Sequence, residues 1–207
     1  MRLSSVSSLA AALVLATGSA QAALTVYTDR ASFEVASAAA AVDTFDDLRA
    51  AFIPSPLLRS AGSFGYRVSA VGDFLPLASG PGEAWLTTIS LVPVTLGSFS
   101  GGVTAAGGNF FATSFDGAVL DRSVTVLATD AGGTLSQTFT GAAPGGFIGF
   151  VSDQALVSLV ISVAGPGAYV TLNDVALAAV PEPAPAFALL AGGALLLALR
   201  RRRLPAH

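Results

Sequence analysis

From Gly65 onward, glycine pairs and glycine–proline turns cut the sequence into short runs of alternating apolar and polar residues. That punctuation restricts the chain to a mainly β fold. The turns are Gly101-Gly102, Gly107-Gly108, Asp130-Ala131-Gly132-Gly133, Gly145-Gly146 and Gly165-Pro166-Gly167. Glycine reaches the positive φ angles that tight reversals need, and proline presets the turn. Between the turns, residues 65–71, 85–91, 94–99, 109–115, 123–128, 134–140, 147–151, 156–163 and 169–177 read as strands, rich in β-branched and aromatic residues. Ahead of them, 24–28 (LTVYT) reads as an opening strand, and Asp29 can cap a helix through Arg30, Phe33 and Val35 to about Ala41. Many short strands at even spacing predict a jelly-roll-like two-sheet sandwich with a short N-terminal helix.

The two ends follow other rules. Residues 1–22 carry a positive Arg2, an apolar stretch from Leu9 to Ala16 and the small-x-small triplet Ala20-Gln21-Ala22. This is the pattern of a secretory signal peptide, with signal peptidase expected to cut after Ala22. At the other end, residues 184–199 hold no charge and are followed by Arg200, Arg201, Arg202 and Arg203. As a helix they would measure about 24 Å, slightly short of a hydrocarbon core of about 30 Å. The sequence therefore predicts one C-terminal transmembrane helix, with residues 200–207 as an Arg-rich cytoplasmic tail by the positive-inside rule. The expected topology is a single-pass anchored precursor with its ectodomain, residues 23–179, outside.

Val180-Pro181-Glu182-Pro183, a short apolar stretch and then four arginines closely resemble the PEP-CTERM sorting signal of Gram-negative bacteria. The resemblance implies processing by an exosortase near the Pro-Glu-Pro segment, then a place at the cell surface or in an exopolysaccharide matrix. The prolines at 181 and 183 hold the segment extended, as recognition by a protease would require. More loosely, TVYTDRASFE, DTFDDL, GFIGFVSD and YVTLNDVAL resemble ectodomains found upstream of such tails, many of them like carbohydrate-binding jelly rolls. That likeness implies a structural calcium ion shared by Asp43, Asp46 or Asp47 and Asp174, with Asn173 beside it. Oxygen ligands of this kind suit calcium; the more ordinary reading makes Asp46 and Asp47 solvated turn residues and Asp174 a strand-end cap.

Composition and missing residues exclude more chemistry than they suggest. The ectodomain holds five arginines, no lysine and twelve carboxylates, about −7 net, which argues against nucleic acid. There is no cysteine, and the only histidine is His207, the last residue. Thiol catalysis, Ser-His-Asp triads and His or Cys zinc sites therefore cannot be built in the ectodomain. Gly97-Ser98-Phe99-Ser100-Gly101 lacks nucleophile-elbow spacing. A pair of acids suffices for glycoside hydrolysis, with Glu34, Glu83, Asp116, Asp121 and Asp153 as candidates, yet nothing in the sequence pairs any two. Glu83 is the most suggestive, because Trp85 stands two residues on; a core position is the ordinary place for a lone tryptophan. Regular threonine arrays of the kind ice binding needs are absent. The reading is a non-enzymatic surface or matrix protein associated with exopolysaccharide and requiring no cofactor. The alternatives are a self-assembling matrix protein without glycan affinity and, less favoured, a carboxylate-only glycoside hydrolase.

Overall fold

The structure is a computed structural model and describes residues 24–49, 51–80, 82–140 and 143–180. Strand β1 (Thr25–Tyr27) leads into helix α1 (Arg30–Ser37), whose N-cap Asp29 accepts the Ser32 N–H at 2.8 Å. The alanine run does not extend the helix to Ala41. Ala38 and Ala39 turn into the left-handed region at φ 55° and 72°, and β2 (Ala41–Asp43) starts as a strand instead. Next come β3 (Leu57–Ala61), β4 (Phe64–Ser69), β5 (Phe74–Gly80), β6 (Glu83–Thr88) and β7 (Val94–Ser100). The rest are β8 (Ala105–Thr113), β9 (Val119–Leu120), β10 (Val124–Asp130), β11 (Thr134–Phe139), β12 (Phe147–Val151), β13 (Leu156–Val163) and β14 (Tyr169–Ala178).

These strands form two antiparallel sheets. Sheet A runs β1-β12-β8-β14-β6-β5, with β2 added on β14 and β9 on β8; sheet B runs β11-β10-β13-β7-β4-β3. Alternate residues of each sheet, joined by Phe45 from the loop after β2, meet in an apolar interior that includes Phe74, Leu86, Leu96, Phe150 and Leu159. Burial of this kind stabilises by about 25 cal/mol per Å² of apolar surface, and it replaces the disulfides that the chain has no cysteine to make.

On its outer face, sheet A carries α1, and glycine makes the fit. Gly107 of β8 and Gly149 of β12 stand opposite each other in register. A Cβ at Gly149 would lie 2.4 Å from the Phe33 ring, and one at Gly107 would lie 2.5 Å from the Ile148 carbonyl oxygen. The bare backbone seats Phe33, which is fully buried against Phe147, Ala105 and Ala176. Burial on both faces explains why every residue of β8 is buried.

One side of the sandwich is tied by charge. Arg59 of β3 donates to both carboxylate oxygens of Asp43 in β2, from Nε at 2.8 Å and from Nη2 at 2.5 Å. It also grips Asp47 at 2.6 and 2.8 Å. Asp43 further accepts the Tyr66 hydroxyl at 2.6 Å and the Phe45 N–H at 3.2 Å. Burial opposes the Arg59 charge, but the two carboxylates outweigh it and hold its proton more tightly than in an ordinary arginine. Burial, reinforced by Asp43, pushes the Tyr66 phenol well above its usual range, so it remains a donor. The opposite side holds an apolar cavity of about 210 Å³, lined by Phe110, Phe139, Phe147 and Ile148 among others.

Among the described residues no helix is long and apolar enough to cross a membrane. The helix they contain, α1, has eight residues, about 12 Å at 1.5 Å each. The fold class expected from the sequence is thereby corrected to a mainly β two-sheet fold with a short N-terminal helix. The membrane as a partner and the single-pass anchored precursor rested on the transmembrane helix and are corrected with it. Residues 184–199, where that helix was expected, lie outside the described residues.

Candidate functional site

Strand β14 changes neighbours halfway along its length. It pairs with β6 at Thr171 and Leu172, then with β2 from Val175 to Leu177, while β8 follows it on the other side. At the changeover the register with β8 shifts between Asn173 and Ala176, and Asp174 sits at φ 49°. This is a β-bulge, and bulges re-aim side chains. Asp takes the left-handed conformation more readily than most residues.

Around this fork the outer face of sheet A is polar and aromatic. Leu86, Phe110 and Leu172 point into the core. By the two-residue period, Glu83, Trp85, Asn109, Phe111 and Asn173 point the other way. Trp85 is half-buried and stands edge-on to the fully buried Phe111, with ring centroids 4.8 Å apart and planes at 83°. Asn109, 8% exposed, donates from Nδ2 to Asp174 Oδ2 at 3.4 Å. From α1, the Arg30 guanidinium donates to the Asp174 carbonyl at 3.0 Å, lies 4.0 Å from its carboxylate and stacks 4.8 Å over Phe147. Burial raises the Asp174 pKa; Arg30 opposes the shift, and the nearby Asp46 and Glu83 charges add to it.

The loop after β8 bounds the same face. Phe115 packs on Tyr169 at 5.8 Å, and Gly117 backs onto Leu77, the register partner of Trp85. Beneath lies a buried hydroxyl triangle in which Thr171 reaches Thr113 at 2.8 Å and Thr87 at 3.0 Å. A separate cleft of about 290 Å³ opens at the β5–β6 edge, lined by Glu83 with Leu48, Arg49, Pro76, Ala78 and Ala84, the last three on the face opposite to Trp85. A half-buried indole on a sheet face that also carries carboxylates and carboxamides suits a polyhydroxyl ligand: the ring can take the C–H face of a sugar and the polar groups its hydroxyls.

Of the residues singled out in the sequence, Asp43 stands in register with Val175, the neighbour of Asp174, and Asp46 and Glu83 are close enough for their charges to act on Asp174. Asp43 and Asp47 are engaged by Arg59, Asp46 accepts the Ala84 N–H at 2.9 Å, and Asp174 lies at the fork. Among the described residues no group of three or more His, Cys, Asp or Glu side chains is arranged to hold a metal ion. Glu34 faces Arg30 at 3.8 Å, Asp116 is hydrogen-bonded to Ser114, and Asp121 and Asp153 are exposed outside the strands. Trp85 lies on an outer sheet face and not in the interior. Val180 is anchored by its N–H to Thr104 Oγ1 at 2.7 Å. Ala20, Ala22, Pro181, Glu182, Pro183, Arg200 to Arg203 and His207 lie outside the described residues. Sequence reading missed Arg30, Asn109 and Phe111 as site residues. The signal available was the i, i+2 spacing of Glu83 and Trp85, which puts them on one face.

No protein-family model, curated protein or solved structure matches this chain.

Proposed function

We propose that this chain is an exported, exosortase-processed surface or matrix protein whose β-sandwich holds exopolysaccharide on the outer face of sheet A. The observation that carries the binding part is Trp85, braced edge-on by Phe111 on the sheet face that, by strand period, it shares with Glu83, Asn109 and Asn173. Bracing matters because a ring held in place loses little freedom when a sugar stacks on it. Export and processing are supported by the terminal sequence patterns, residues 1–22 and 180–183 with the arginines that follow.

Binding of the full chain to the producing organism's own exopolysaccharide tests the first part. Saturable binding is expected, weakened about tenfold or more by Trp85→Ala, a change of about 1.4 kcal/mol or more. Equal binding by the two proteins would remove the site. The size and release of the protein in a strain lacking the processing protease test the second part, and no change there would remove it.

A further inference from the structure

A sheet edge exposes unpaired N–H and C=O groups, and folded proteins usually blunt it with charge, proline, a bulge, short length or a covering element. The two strand orders end in β1, β5, β3 and β11, and three of these four carry such devices. β1 is only three residues long and runs straight into α1. β5 has Pro76 in its middle and a register shift between Ala78 and Gly80. β3 is flanked by the 43–47 segment, to which Arg59 is tied at both Asp43 and Asp47.

The fourth edge, β11, has none of them. Its sequence TLSQTF contains no charge, proline or glycine. Its register with β10 runs unbroken from Thr129↔Thr134 to Val124↔Phe139. Thr134, Ser136 and Thr138 are exposed, while Leu135 and Phe139 pack on the core and fix which way the strand faces. Among the described residues no strand pairs with its free side. Gln137 Nε2 makes a long 3.3 Å bond to the Thr138 carbonyl, a contact that an incoming strand can replace. The outward positions of the two strands behind it are also uncharged: Thr125, Leu127 and Thr129 on β10, Ser158, Val160 and Ser162 on β13.

We propose that β11 is a self-association edge that pairs antiparallel with β11 of a second copy, joining two six-stranded sheets into one continuous sheet. The missing charge selects this occupant. A two-fold axis sets the strand against itself, so any charge on it would face its own copy across the junction. An uncharged strand with alternating hydroxyls meets no such repulsion, and Thr or Ser pairs opposite one another are favourable.

Sedimentation of the full chain over a wide concentration range tests this. The wild type is expected to pass from monomer to dimer. Ser136→Lys, which puts like charges across the junction, should raise the dimer dissociation constant about tenfold or more. Leu58→Lys on the β3 edge should leave it unchanged. Because the chain has no cysteine, a second readout is available: Ser136→Cys should give disulfide-linked dimers under mild oxidation far faster than Leu58→Cys. A wild type that stays monomeric throughout, a dimer lost to Leu58→Lys and not to Ser136→Lys, or equal crosslinking by the two cysteine variants would each overturn the proposal.

Discussion

Arg59→Met should be among the most damaging single substitutions in this chain, although it removes no core hydrophobe. The Asp43 side chain is 3% exposed and that of Arg59 is 12% exposed. Taking away the guanidinium leaves Asp43 in the interior with only the Tyr66 hydroxyl and the Phe45 N–H for partners. Breaking a buried pair from one side costs about 3–5 kcal/mol, most of it from the stranded charge. Asp47, on the same arginine, is 67% exposed, so Asp47→Asn should cost no more than about 1 kcal/mol. At about 2–4 °C per kcal/mol for a domain of this size, Arg59→Met should lower Tm by about 6–20 °C. Urea titration followed by the emission of Trp85, the single tryptophan, supplies the free energy. The double variant Asp43→Leu/Arg59→Met should recover much of the loss, since a buried pair replaced by apolar residues is often neutral. An Arg59→Met protein within 1 kcal/mol of wild type, or a double variant no better than the single, would refute the argument that a desolvated charge holds this edge.

Three further outcomes follow from the packing and charges. Gly149→Ala should displace α1, because the new methyl would overlap the Phe33 ring; a loss of about 1–3 kcal/mol is expected from overpacking, and Phe33→Ala in the same chain should relieve part of it. Asp130 is 5% exposed and accepts hydrogen bonds from Ser152 Oγ and the N–H groups of Gly132 and Gly133, which overcome burial and lower its pKa. A lowered folded-state pKa gives stability that is present above about pH 4 and lost as pH falls through the folded value, so Asp130→Asn should flatten the acid limb of a Tm–pH profile. Asp174 has the opposite sign: its raised pKa means the fold disfavours its charge at neutral pH. Asp174→Asn, which tolerates the same positive φ, should leave Tm unchanged or higher at pH 7 while weakening glycan binding, and a clear drop in Tm would contradict this.

The sequence was most legible where glycine and alternation spoke together. The runs at 147–151 and 156–163 coincide with β12 and β13, since both are bounded by turns and rich in branched residues. It was least legible where a strand breaks the local rules. β5 contains Pro76, tolerable because the strand lies at an edge. β3 is five residues that follow a proline-rich stretch, and it is held by the ties of its own Arg59 to Asp43 and Asp47 outside the strand. The alanines after Ser37 favour helix by propensity, yet pairing of β2 with β14 prevails there, an instance of tertiary contact overriding a weak preference. At the site, Glu83 and Trp85 are joined by strand period alone. Arg30, Asn109 and Asp174 come together only through the order of strands in sheet A, which no local pattern encodes.

The charged tie between β2 and β3 and the apolar cavity beside Phe139 lie on opposite sides of the sandwich, and together they make it behave like a bound book. The Asp43–Arg59 side is the spine, where the sheets are stitched through desolvated hydrogen bonds. The side of β1, β12 and β11 is the fore-edge, with three residues of β1 and an incompletely filled interior. Local opening should start there, with the amides of β11 and β1 exchanging ahead of those of β4 and β14. A second copy seated on the fore-edge would close the pages, so assembly and rigidity of the sandwich would rise together.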